Sequence, residues 1–198
     1  MVNRTIKILL MFLFALNLSD GLFSPLFAVF VQDFIVGASL STVGIAVALL
    51  SISKSVVQVP LARWLDKHGS DKGEYYAMLA GAGLGVIYPL GLTATSSSLQ
   101  LYGLSIVSGI GLAFLMAAYY GMFSHHIDRK LQSYEWSLYS VGGLTVSAAL
   151  GGLAGGVLAD IYGLRAILYG AAALNVLAIV VLALLPLHHS FKGSRKVV

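Results

Sequence analysis

The chain has 198 residues, 58% of them hydrophobic and 10% charged, with a mean hydropathy of +0.88; that composition excludes a soluble globular domain. Its formal charge is +4, but the basic residues sit beside apolar runs, so a membrane surface accounts for them and nucleic acid does not. There is no cysteine, which excludes disulfides, thiolate metal sites and a cysteine nucleophile.

Six runs are apolar for close to 20 residues or more, the length that crosses ~30 Å of hydrocarbon as a helix. The first lies at about 8–31. Arg4, Lys7 and the apolar run after them imitate a secretory signal. No small-x-small cleavage site follows, and apolar sequence resumes after Ser19-Asp20-Gly21 as far as Ile35, so a retained span is expected. Leu13, Asn17, Asp20, Ser24 and Phe27 recur at helical spacing and give span 1 one face with a polar centre and apolar ends. Pro25 predicts a kink.

Span 2 occupies about 41–65, with Val47, Ser51, Lys54 and Gln58 on one face, the last three polar. After a short charged turn comes span 3, at about 75–93, where Ala77, Gly81 and Gly85 stand four apart as a close-packing ridge. An uncharged link leads to span 4, about 99–123, with a longer small-residue ridge of Ser105, Gly109, Ala113, Ala117 and Gly121. It ends in a polar loop containing His125 and His126. Adjacent helical residues point about 100° apart. Neither a cysteine nor a third histidine lies close in sequence, so the ligand count for a metal is not met. No metal or other cofactor is expected.

Span 5, about 133–158, opens with Glu135 and Trp136, read as an interfacial acid and an aromatic anchor. Gly143, Ser147, Gly151 and Gly155 then form a strict four-residue ridge, suited to close helix packing and to assembly with a second copy. Span 6, about 164–187, has Asn175 as its one strongly polar interior residue and stops at Pro186, before a basic tail. On this arrangement ten of the twelve Lys and Arg residues share one side of the membrane, Arg165 alone takes the other, and Lys54 lies within. The positive-inside rule then places the chain in the cell membrane with both termini cytoplasmic.

Several activities are disfavoured. There is no GxxxxGK[ST] phosphate loop for ATP hydrolysis. An intramembrane serine protease would lack its base, since no GxSG string and no histidine falls within a span. Neither a carboxylate ring nor a carbonyl filter marks an ion channel. An enzyme is not expected.

The turn between spans 2 and 3 reads Ala62-Arg63-Trp64-Leu65-Asp66-Lys67-His68-Gly69. It resembles G-x-L-A-D-R-x-G-R-K, the signature between the second and third helices of the major facilitator superfamily, through Ala62, Asp66, Lys67 and Gly69. Small Ala62 lets a neighbouring helix approach, Gly69 permits a tight turn, and Asp66 can meet a helix N-terminus. Ala62 replaces the family's first glycine, and Ser70-Asp71 stand where its basic pair belongs, with Lys72 following. The string GGLAGG at 151–156 is similar to the family's glycine-rich fifth helix without its proline. Residues 159–165 look like its turn from helix 5 to 6, and 135–139 resemble short six-helix relatives.

This resemblance covers nearly the whole chain. It implies an all-α membrane fold, a single six-helix domain over residues 1–198, built from two inverted three-helix units and forming one half of the usual two-half bundle. Helices 1 and 4 would line the cavity, 2 and 5 would join the halves, and 3 and 6 would face outward. The implied function is secondary transport of small organic solutes or drugs, with protons as a candidate coupling ion. A non-transporting membrane subunit that assembles with or regulates another transporter stays open, as does an isolated half of a longer protein.

A half-bundle cannot enclose a cavity, so a parallel homodimer is expected, with span 2 of one copy on span 5 of the other. Asp66 would then sit near the start of the partner's span 5. Asp20 and Lys54 are the only charges well inside the spans. Asp20 lies ~20 Å beyond Lys7, and Lys54 lies ~18 Å from Asp66, at 1.5 Å per residue; the depths match. With Asn17 and Gln58 beside them, the two are expected to face the central cavity and change partners as substrate or a proton binds. The alternative is a permanent ion pair joining spans 1 and 2.

Overall fold

The computed structural model describes residues 2–68 and 70–185. Within them are six helices long and apolar enough to cross a membrane: Arg4–Phe34 (span 1), Leu40–Lys67 (span 2), Asp71–Ala94 (span 3), Ser98–His126 (span 4), Gln132–Tyr162 (span 5) and Leu164–Ala183 (span 6). The chain is an all-α integral membrane protein, and the described residues contain no strand. The first five spans run past their expected limits; Pro186, the expected stop of span 6, lies outside the described residues.

Local chemistry sets the ends. Ser70 caps span 3, its hydroxyl accepting the Gly73 N–H at 3.3 Å, and Asp71 and Glu74 occupy the first turn, where carboxylates complement the helix dipole. Capping is thus the structural work of the residues that replace the family's basic pair. Ser97 and Gln100 form a reciprocal capping box at the start of span 4. Gly163, at φ +82°, makes the tight turn between spans 5 and 6 in a region that only glycine enters without strain.

Two spans are irregular. Span 1 breaks at Pro25, as expected: an α-helix ends at Phe23, a 3₁₀ turn covers Ser24–Leu26, and a second helix runs Phe27–Phe34. Proline supplies no N–H there, so the regular ladder cannot continue. Span 5 contains a π-helical stretch, Leu138–Val146, that periodicity did not foretell. Its wider turn admits an i→i+5 side-chain bond from the Thr145 hydroxyl to the Ser140 carbonyl, at 3.1 Å.

The packing has an internal symmetry. Span 2 leans on span 4 and span 5 on span 1; span 3 packs on span 4 and span 6 on span 1; spans 3 and 6 touch each other. Exchanging 1 with 4, 2 with 5 and 3 with 6 leaves this set unchanged. Each member of such a pair is separated by three crossings and so runs in the opposite direction, the signature of two inverted three-helix units.

Glycines make the close approaches, because apolar attraction between helices is weak in lipid and packing must supply the adhesion. A methyl group on Gly81 would stand 2.5 Å from the Gly111 carbonyl oxygen, and one on Gly109 would collide with Ser53 and Leu50. The span 5 ridge behaves the same way. Gly143 faces Leu13, Gly151 meets the Leu18 carbonyl and Gly21, and Gly155 meets the Leu22 carbonyl. The ridge expected to serve assembly therefore makes its contact with span 1 of the same chain. Glu135, at the start of span 5, is fully buried within the protein, and its Oε2 accepts the Asp128 N–H at 2.9 Å, tying down the 4–5 loop.

Buried apolar side chains form two separate cores. One surrounds Leu9, Phe12, Met78, Tyr119 and Leu182 near the end where span 1 begins and span 6 ends. The other surrounds Phe23, Phe30, Leu92, Leu101 and Leu168 near the opposite end. Between them, at residues 16–20, 85–89, 105–112 and 171–175, lies a layer rich in polar groups.

Candidate functional site: a cavity between two apolar cores

A cavity of about 440 Å³ opens in that layer, lined from spans 1, 2, 3, 4 and 6. Two interhelical hydrogen bonds frame it. The Ser19 hydroxyl donates to the Ala171 carbonyl at 2.8 Å, and the Asn175 amide donates to the Gly85 carbonyl at 2.7 Å, both fastening span 6 to its neighbours.

Asn17, Asp20, Ser24 and Phe27 all line the cavity, so the polar-centred face read on span 1 is the face that meets it. Asn17 donates to the Leu13 carbonyl at 3.0 Å. Asp20 is exposed to the cavity and is its one charged lining residue among those described. Tyr88 and Ser105 line the same cavity as Asp20. Phe23, Leu112 and Leu115 supply apolar wall. One carboxylate, one phenol and several hydroxyl and amide groups in an apolar shell suit a small organic molecule, and the volume falls in the usual range for such sites, ~300–1,000 Å³.

Lys54 and Gln58 are half-buried on span 2 and are not among the lining residues. Among the described residues the acid–base side-chain contacts within 4.0 Å are His125–Glu74 and His126–Asp71, so no permanent bond joins Asp20 to Lys54. The reason is lateral: counting rises along two helices equates depth, but span 2 packs mainly on span 4 rather than span 1. In the signature turn, Ala62 packs against the core around Phe12 and Tyr119, Asp66 and Lys67 are exposed, and Gly69 lies outside the described residues.

Sequence reasoning passed over Tyr88, Ser19 and Ser108. Tyr88 stands three residues after Gly85, on the same helical face, but a ridge defined by small residues hides a tyrosine beyond its end. Ser105 was visible only as a packing residue, and it lines the cavity.

A family model described as Major Facilitator Superfamily matches residues 9–196. The chain belongs to the Major Facilitator Superfamily. A search of curated proteins gave no match. Membership makes this facilitator chain a transporter in type, from a family whose members are generally not enzymes, and it agrees with six spans arranged as inverted triplets.

Proposed function

We propose that this facilitator chain is a half-size secondary transporter, working as a parallel homodimer that moves small organic solutes or drugs, with Asp20 taking up and releasing the coupling proton. The observation that carries the reading is a carboxylate exposed to a protein-walled cavity midway along the spans. Charge at that depth is costly and faces a wet cavity or a partner where it occurs.

Burial supports the second copy. In their most apolar windows, 11% of span 2 and 22% of span 5 are buried within the chain, against 56% and 50% for spans 1 and 4. The least covered spans are the two expected to join the halves. Lys54 and Gln58, carried on span 2, then belong to the surface that a second copy completes.

Vesicles reconstituted with only this chain should accumulate one or more members of a solute and drug panel when a pH gradient is imposed. Transport that requires a second protein would instead indicate an accessory subunit.

Orientation is tested separately. Ser70 and Ser97 are exposed at opposite ends of the bundle, and the native chain has no cysteine. Cysteine at position 70 should label only from the cytoplasm, and at position 97 only from outside. Labelling of either from both sides contradicts a fixed orientation.

A further inference from the structure

The fold gives His125 and His126 the neighbours they lack in sequence. Asp71 and Glu74, on the first turn of span 3, come against the last turn of span 4. One ligand atom each from Asp71, Glu74 and His125 lie within 4.8 Å of one another. His125 Nδ1 is 3.5 Å from Glu74 Oε1, and His126 Nε2 is 3.9 Å from Asp71 Oδ2.

These separations exceed the ~2.7–3.2 Å of a nitrogen–oxygen hydrogen bond. They are close to the ~3.4 Å between two donors that each stand ~2.1 Å from one tetrahedral ion. His126 Nδ1 is 2.9 Å from the Met122 carbonyl oxygen. A proton on that nitrogen leaves Nε2 facing Asp71, so His126 stands beside the three-residue cluster as a neighbour of one of its carboxylates. Glu74 is 2% exposed and fits because residue 121 is glycine: a methyl group there would stand 2.7 Å from Glu74 Oε1. Two carboxylates balance a dication and, with the His125 imidazole, match a three-residue donor set of zinc that leaves one position open.

We propose that Asp71, Glu74 and His125 bind one divalent transition-metal ion of the zinc type. The ion pins the start of span 3 to the end of span 4, across the junction between the two inverted units. This site is remote from the Asp20 cavity and independent of the transport reading.

The test is Zn²⁺ titration of the untagged full chain in lipid discs by calorimetry, in a His188→Ala/His189→Ala background that removes the tail histidines. Co²⁺ absorption reports the ligand type. One Zn²⁺ per chain is expected, with affinity falling at least about tenfold in Glu74→Gln and in His125→Ala. Glu74 is buried, so its variant is also checked for folding; His125 is exposed, and its variant stands as the decisive one. Absence of saturable binding at one ion per chain, or unchanged affinity in folded His125→Ala, overturns the proposal.

Discussion

Gly155→Leu is expected to unfold the protomer rather than only separate a dimer. The Cα of Gly155 lies against the Leu22 carbonyl, where even a methyl group collides with backbone. Backbone cannot rotate aside as a side chain can, so span 5 would have to part from span 1 along the Gly143–Gly155 ridge. Overpacking of this kind costs about 3 kcal/mol or more, the upper end of its usual range. Gly156 is the internal control, since nothing stands within 4 Å of a methyl added there. Thermal unfolding in detergent should show Gly155→Leu collapsed or strongly destabilised and Gly156→Leu close to the parent. Equal behaviour of the two would mean that the ridge does not hold span 1.

That contrast shows what sequence reading can reach. Long uncharged runs made the six spans legible, because the membrane imposes a length and a polarity that few other constraints imitate. Pro25 announced the break in span 1, and the spacing of Asn17, Asp20 and Ser24 announced the cavity face. Which helix a ridge would meet was not legible: the four-residue spacing is the same whether Gly151 faces span 1 or a second copy. Lys54 shows the same gap. Its depth follows from counting residues, but its neighbours depend on the lateral arrangement of helices. The approach of Asp71 and Glu74 to His125 and His126 joins residues about 50 apart in sequence, and only the packing of span 3 on span 4 brings it about.

Asp20→Asn is expected to reduce pH-gradient-driven transport to the level of protein-free vesicles while leaving the chain folded. Asparagine keeps the size and polarity of the side chain but cannot exchange a proton. Folding should survive, because Asp20 has no ion pair among the described residues and removal of an intramembrane charge relieves a cost of about 2.5–3.5 kcal/mol on insertion scales. Lys54→Gln should bring the same loss of coupled transport. The two residues are not paired in one chain, so its effect reports on the surface that a second copy completes. Transport assays and thermal unfolding on the same preparations separate the outcomes. Normal coupled transport by both variants would remove Asp20 and Lys54 from the mechanism.

The pairing itself is measurable without knowing the substrate. The mass of the protein particle in lipid discs, determined across a range of concentrations, should be twice the 20.9 kDa of one chain. Crosslinks between cysteines placed on exposed positions of span 2 and span 5, such as Val56 and Leu153, should join different copies. A particle that remains a single chain at every concentration, yet transports, would contradict the homodimer.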